Sequence, residues 1–126
     1  MALTFFRMFR TVVAGLSIAL GTGAVALAGD MSPFLGKWDA ASDNCGFPQG
    51  DGIFIVEPNR IRFYEAICDL TNARAAGVGA AVIADMTCEG EGSAWTETVF
   101  FARSDETNLL LYYGSGYGFL ASQCRQ

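Results

Sequence analysis

Beyond residue 33, short apolar segments alternate with groups of turn-forming residues up to the end of the chain. The apolar segments are short and rich in Val, Ile, Leu and aromatic residues, which is typical of β-strands. We find no convincing segment with the three-to-four-residue apolar spacing of an amphipathic helix. The pattern predicts seven strands, at residues 34–40, 53–56, 61–70, 80–88, 95–103, 109–113 and 117–121.

The segments between these strands carry residues that favour turns. Pro58 and Asn59 suit the two central positions of a hairpin turn, because Pro fixes φ at the first and Asn tolerates the second. Glycines mark two further connections, at residues 89–92 and 114–116. Residues 71–79 fit either one helical turn or a flexible Ala/Gly loop. These signals predict an all-β fold, a small antiparallel β-barrel or sandwich of about seven to eight strands.

The alternation of side chains along a strand indicates which positions point inward. In the third predicted strand we expect the interior face to carry Ile61, Phe63, Glu65 and Ile67. In the fourth, the expected inward positions are Val82, Ala84, Met86 and Cys88. Both faces of the strand at 95–103 are mixed, so alternation does not choose between them. A buried Glu65 needs an ion-pair or hydrogen-bond partner, or it has to be protonated. The partner is either another part of the structure or a cationic or hydroxyl-bearing ligand.

The first 28 residues have the pattern of a secretory signal peptide. Arg7 and Arg10 precede an uncharged apolar segment, and the Ala-Leu-Ala at 26–28 places small residues at a cleavage site. We expect a signal helix at residues 1–28 and a single β domain at residues 29–126; the alternative is an uncleaved membrane anchor. Cleavage removes two arginines and no acidic residue, so the formal charge changes from −5 to −7. The signal predicts a periplasmic or secreted protein.

Four cysteines, all after residue 28, predict two disulfides in an exported chain of this size. The absence of a Cys-x-x-Cys pair argues against the usual zinc spacing and a thioredoxin-type motif. We favour Cys68–Cys88 between neighbouring strands, with Cys45–Cys124 joining the first and last strand regions. The face assignment above counts against this choice, because it separates Cys68 from Cys88. The sequential pairing, Cys45–Cys68 with Cys88–Cys124, therefore stays open.

Composition excludes several kinds of chemistry. The chain contains no His, which excludes Ser-His-Asp and Cys-His catalytic sites and a His-bound zinc. Thirteen acidic against eight basic residues argue against nucleic-acid binding, which needs clustered Lys and Arg. Acidic residues around glycine turns are typical of a solvated surface. We therefore assign no catalytic residue, no metal and no cofactor.

The start of the first predicted strand carries a motif found in other barrels. Gly36-Lys37-Trp38 resembles the Gly-x-Trp start of lipocalin-like barrels. The resemblance implies structural roles for Gly36, which permits tight entry into the strand, and for Trp38, which closes the base of the barrel. With Leu35 before it and Cys45 seven residues after Trp38, the segment is also similar to small periplasmic barrels that inhibit secreted metalloproteases.

Two further resemblances involve the rest of the chain. The segment 115–119 (Ser-Gly-Tyr-Gly-Phe) is similar to the S-G-x-x-Y loop of periplasmic lysozyme inhibitors, with Phe119 in the Tyr position. The Glu-x-x-Cys at 65–68, the Cys-x-Gly-Glu-Gly at 88–92, the Gly-x-Trp start and the terminal Cys resemble a broad set of small exported proteobacterial proteins of unknown function. That resemblance implies a fold and an export route but no activity.

Aromatic residues beside the Gly-Ser-Gly tip form a second candidate recognition surface, because rigid rings supply contact area at low entropic cost. The candidate binding residues are Glu65, Tyr112, Tyr113, Ser115, Tyr117 and Phe119. We expect an exported, non-catalytic binding or inhibitor-like module that recognises a basic protein, such as a lysozyme or a protease, or a small apolar ligand. The alternatives are a structural or envelope-stress protein without a discrete site and a small carboxylate-based hydrolase. No nucleic acid and, after signal cleavage, no membrane is expected as a partner.

Overall fold

The computed structural model describes residues 27–41, 45 and 51–124, together with residue 21. The chain forms a closed antiparallel barrel of eight strands arranged in sequence order, which confirms the predicted all-β fold. A short 3-10 helix, Ser32–Phe34, precedes the first strand. The strands are β1 Gly36–Asp39, β2 Ile53–Glu57, β3 Arg60–Arg62, β4 Ala66–Ala75, β5 Val82–Gly90, β6 Ser93–Arg103, β7 Asn108–Tyr113 and β8 Gly118–Gln123.

The predicted signal peptide lies outside the described residues, apart from residues 21, 27 and 28. In the described part of the chain, no helical segment has the length and apolar character required to span a bilayer. Ala28 forms an isolated antiparallel bridge with Arg74, and the Gly29 N–H donates to the Ala73 carbonyl at 3.0 Å. A β-carbon on Gly29 would lie 2.7 Å from Cγ1 of Val82, so only glycine fits this approach to β4 and β5.

The prediction of a single strand at 61–70 is wrong, because a tight bend divides that segment into β3 and β4. The Phe63 N–H donates to the Ala66 carbonyl at 2.8 Å and reverses the chain. The bend shifts the alternation by one position, so Cys68 points inward and Ile67 is exposed. The segment Phe-Tyr-Glu at 63–65 contains no Gly, Pro or Asn, and its composition therefore did not indicate a turn.

Residues 71–75 continue β4, which corrects the predicted helical turn or loop for the first part of 71–79. The strand is irregular there, since its pairing with β5 shifts between Thr71 and Arg74 and Asn72 has a φ of 52°. Such a bulge tightens the local twist of a strand and helps a small sheet close on itself. The Asn72 side chain also donates to Asp85 of β5 at 3.1 Å, which holds the bulge against its neighbour.

The inward positions predicted for the fourth strand are confirmed. Val82, Ala84, Met86 and Cys88 are all buried along β5. In β6 the structure selects the odd-numbered face, because Val99 and Phe101 are completely buried. Trp95 and Glu97 share that parity but lie nearer the other end of β6, where they are exposed and half-buried. This difference along one strand leaves one end of the barrel less filled than the other.

The N-terminal end of β1 is the densely packed end. Trp38 is completely buried, and its indole N–H donates to the Phe34 carbonyl at 2.9 Å. The Arg103 guanidinium lies 5.0 Å from the centroid of the Trp38 ring and donates to the Pro33 carbonyl at 2.7 Å. Gly36 enters β1 with a φ of +122°, a conformation that other residues rarely adopt. We call this end, with the 3-10 helix and Trp38, the base.

Both favoured disulfides are confirmed. Cys68 and Cys88 are directly opposite each other on β4 and β5, both pointing into the barrel. Cys45, in the β1–β2 connection, is bonded to Cys124 immediately after β8. The conflict over the faces of Cys68 and Cys88 disappears because of the bend at 63–65. Two disulfides indicate maturation in an oxidising, extracytoplasmic compartment.

Candidate ligand site at the mouth of the barrel

The connections between strands alternate between the two ends of the barrel, because every strand is antiparallel to its neighbours. The β2–β3, β4–β5 and β6–β7 connections lie at the base. The β3–β4, β5–β6 and β7–β8 connections, at residues 63–65, 91–92 and 114–117, lie at the opposite end, which we call the mouth.

The mouth contains a cavity of about 280 Å³, which we call the mouth cavity. Inward side chains of the barrel wall form its inner part: Ala66, Cys68, Met86 and Cys88. Three aromatic residues and one acid complete the lining: Phe63, Trp95, Glu97 and Tyr113. The volume is just below the range of about 300–1,000 Å³ that is usual for small-molecule sites. Apolar walls with one polar group are the usual composition of such a site.

A cluster of aromatic rings links the cavity to the opposite wall of the barrel. Phe54 lies with its ring centroid 5.6 Å from Phe63 and 5.9 Å from Phe119. Tyr113 lies 6.1 Å from Phe119 and is stacked on Tyr117 at 6.2 Å. Because these rings contact one another, the wall of the mouth is preorganised rather than assembled on binding.

Glu97 is the acidic group of the mouth cavity. It occupies an inward position of β6 and is half-buried. Its Oε1 accepts a hydrogen bond from the Ser115 backbone N–H at 3.1 Å, which fixes the carboxylate against the β7–β8 turn. Among the described residues the ion pairs are Arg60–Asp69, Arg62–Glu57 and Arg74–Asp85, and none of them includes Glu97.

Tyr113 is the hydroxyl-bearing residue of the cavity wall. Burial raises the pKa of Tyr113 to about 12, with further contributions from Tyr117 and from the negative charge of Glu97. The phenol therefore keeps its proton at every physiological pH. It can donate one hydrogen bond in the cavity and accept others.

The expected burial of Glu65 is wrong. Glu65 lies in the β3–β4 bend and is exposed, because the reversal of the chain there turns it away from the interior. Its pKa is raised, first by a hydrogen bond with Glu91, then by the charge of Glu91, by desolvation and by the charge of Asp51. These three carboxylates line a second cavity of about 200 Å³ that shares Phe63, Ala66 and Trp95 with the mouth cavity. The rim of the mouth is therefore acidic.

The other sequence-predicted site residues are divided between two surfaces. Tyr113 and Phe119 belong to the aromatic cluster of the mouth, together with Tyr117 at the rim. Ser115 contributes its backbone N–H to Glu97. Tyr112 points outward, and its ring covers the position that a side chain on Gly118 would occupy.

Sequence reasoning missed Trp95 and Glu97 as site residues. The signal for them is their parity, since they continue the odd-numbered face that holds Val99 and Phe101. That signal was obscured because Phe100 gives the even-numbered face an aromatic residue as well.

The described residues include no group of three Cys, Asp or Glu side chains arranged to hold a metal ion. Comparisons of the chain with protein-family models, with curated proteins and with solved structures found no match.

Proposed function

We propose that this protein is an exported, non-catalytic binding module whose mouth cavity takes up a small, largely apolar ligand. The observation that carries this proposal is the contrast between the two ends of the barrel. The base is filled by Phe34 and Trp38, which are completely buried, whereas the inward positions at the mouth leave about 280 Å³ unfilled. Apolar surface left open at the mouth forgoes the stabilisation that burying it would give, so a barrel selected only for packing would be expected to cover it.

The size of the cavity limits the ligand. An apolar cavity of about 150 Å³ is sufficient for benzene in a well-studied enzyme variant. A volume of about 280 Å³ therefore fits a body about the size of two fused aromatic rings. The aromatic lining of Phe63, Trp95 and Tyr113 suits such a flat ligand, because offset stacking adds to the area buried.

We place the protein in the periplasm or outside the cell, after removal of residues 1–28. The basic, apolar and Ala-x-Ala order of the first residues supports this assignment. The two disulfides agree with it, because they require an oxidising compartment. Cleavage after Ala28 would remove the Ala28–Arg74 bridge and would leave Gly29 as the first residue, with its nitrogen 3.0 Å from the Ala73 carbonyl oxygen.

The binding proposal is tested with the neutral fluorophore 6-propionyl-2-dimethylaminonaphthalene. We expect micromolar binding with a blue-shifted probe emission and energy transfer from Trp95, which lines the cavity and is 43% exposed. Trp95→Phe should reduce the energy transfer while keeping the blue shift, because it removes the tryptophan that lines the cavity and leaves Trp38 at the base.

A matched pair of variants locates the probe. Ala66→Leu places a larger side chain at an inward position of the cavity and should weaken binding about tenfold or more. Ala94→Leu adds the same groups on the exposed face of β6 and should leave binding unchanged. Equal probe binding by both variants, or no binding by the original protein, would contradict the proposal.

A second candidate function is inhibition of a basic protein such as a lysozyme. The specific observation in its favour is the grouping of Asp51, Glu65 and Glu91 at the rim of the mouth. Exposed Tyr64 and Tyr117 lie in the neighbouring connections, and tyrosine is enriched in protein interfaces. An acidic surface with aromatic residues is complementary to a basic partner.

A further inference from the structure

Glu97 places a carboxylate on the wall of a cavity whose other walls are mostly apolar. It lies on the inward face of β6, four residues from the completely buried Phe101. A neutral apolar ligand that fills the cavity would remove water from this carboxylate and provide nothing in exchange. Desolvating an unpaired carboxylate costs several kcal/mol in general, whereas a cation in the same place offsets that cost.

The remaining lining of the cavity also favours positive charge. Trp95, Tyr113 and Phe63 present aromatic rings to the same space, and the faces of such rings attract cations. The phenol of Tyr113 keeps its proton and leaves oxygen lone pairs that can accept from an ammonium group. Within the described part of the chain, no lysine or arginine lines the cavity to compete for Glu97.

The space that adjoins the mouth cavity beside Trp95 is also negatively charged. Asp51, Glu65 and Glu91 lie around the adjoining space at the rim, so a cation approaching the mouth enters a region of negative potential. Two basic residues, Lys37 and Arg62, line a separate neighbouring cavity that shares Phe63 with the mouth cavity, and the charge of Arg62 is paired with Glu57. The three rim carboxylates therefore favour the approach of cations and oppose that of anions such as fatty acids.

We propose that the ligand of the mouth cavity is a small organic cation, an aromatic or aliphatic amine whose ammonium group pairs with Glu97. This inference rests on the proposed binding function and narrows it to one chemical class. The apolar body of the amine lies against Met86 and the Cys68–Cys88 disulfide, and its charged end lies between Glu97 and the aromatic rings. Such a ligand satisfies both the apolar lining and the carboxylate, which a hydrocarbon does not.

The test compares three probes that share one ring system and differ in charge. They are 2-(1-naphthyl)ethylammonium, the neutral 2-(1-naphthyl)ethanol and the anionic 1-naphthylacetate, titrated by isothermal calorimetry at pH 7 and low salt. We expect the ammonium to bind about tenfold to a hundredfold more tightly than the alcohol, the range for a hydrogen bond to a charged group. The carboxylate should bind least.

Glu97→Gln separates charge from shape, because glutamine keeps an oxygen that can accept from Ser115 N–H. In this variant the ammonium should lose its advantage and bind no more tightly than the alcohol, while the affinity for the alcohol should rise, because no carboxylate has to be desolvated. Glu106→Gln removes a carboxylate from the β6–β7 connection at the base and should preserve the order of the three probes.

The outcomes distinguish this inference from the proposed function. If the alcohol binds as tightly as the ammonium, or if Glu97→Gln weakens both equally, the cation inference is overturned and the cavity remains a site for neutral ligands. If none of the three probes binds, both the inference and the proposed function fail.

Discussion

Glu65 and Glu91 lie together at the rim of the mouth, each in a connection between strands. Their proximity raises the pKa of Glu65, so the folded protein holds a proton there more tightly than the unfolded chain does. For a carboxyl group, a raised pKa in the folded state means that the pair destabilises the fold above that pKa. The destabilisation disappears as the pH falls through it.

We therefore expect Glu91→Gln to raise the melting temperature slightly at pH 7 and to change it little below about pH 4, where glutamate is protonated. The residue at 91 has a φ of 51°, and Gln imposes a similar backbone cost to Glu, so the comparison isolates the charge. Glu89→Gln, in the same hairpin but on the exposed face of β5, is the control. An equal effect of Glu91→Gln at both pH values would refute the coupling.

Trp95 shows why the candidate site was only partly predictable from residue types. Aromatic residues near glycines drew attention to Tyr113, Tyr117 and Phe119, and these do lie at the mouth. Trp95 and Glu97 could not be assigned, because alternation gives two faces but not which one is inside. Which face points inward depends on how each strand pairs with its neighbours in the barrel.

The two disulfides belong to different elements and have different consequences. Cys68–Cys88 joins adjacent strands across 20 residues of sequence, and Cys45–Cys124 closes a segment with a separation of 79. In the loop-entropy model, these lengths correspond to about 3 and about 4–5 kcal/mol of stabilisation respectively. The first disulfide lines the mouth cavity and the second does not.

We expect the double variant Cys68→Ala/Cys88→Ala to lose about 3 kcal/mol of unfolding free energy and also to bind the neutral fluorophore several-fold more weakly. Cys45→Ala/Cys124→Ala should lose about 4–5 kcal/mol and keep its affinity, provided that it is assayed where it remains folded. Denaturant titration and fluorescence report the two quantities separately. Equal losses of affinity would show that the cavity depends on overall stability rather than on its sulfur-lined wall.

The elements of the fold were predictable to different degrees. β5, β6 and β7 were recognisable because each is an apolar run bounded by glycines or by polar residues that favour turns. The β3–β4 bend was not, because Phe63, Tyr64 and Glu65 have no intrinsic preference for a turn. After the bend, β4 pairs with β5 in a register that brings Cys68 opposite Cys88. The favoured Cys68–Cys88 disulfide was the long-range signal that conflicted with the predicted alternation, and the bend is what resolves the conflict.

At the scale of the whole molecule, the uneven distribution of charge separates the two candidate functions. The chain carries a formal charge of −5, and Asp51, Glu65 and Glu91 concentrate part of it at the mouth. Association with a basic protein through such a rim is accelerated by attraction and weakened by salt. Uptake of a small ligand by the cavity depends much less on the rim than on Glu97 and the aromatic walls.

The inhibitor candidate predicts that this protein inhibits a c-type lysozyme at micromolar concentrations and low salt, with weaker inhibition as the salt concentration rises. The double variant Glu65→Gln/Glu91→Gln should reduce inhibition about tenfold, while Glu106→Gln at the base should not. Lysozyme activity unchanged at a micromolar excess of this protein would remove c-type lysozyme as a target. That result would not affect the small-ligand proposal, which rests on the interior of the mouth.

In the described part of the chain, Phe34, Trp38 and Arg103 close the base of the barrel, so a ligand of the proposed site would enter and leave through the mouth. Two ligands would then compete for one route and could not pass each other. A second ligand would bind only after the first has dissociated, so the dissociation rate of the first would limit exchange. A long substituent on the ligand would extend into solvent beside the exposed Trp95 and Tyr117, where another macromolecule could contact it.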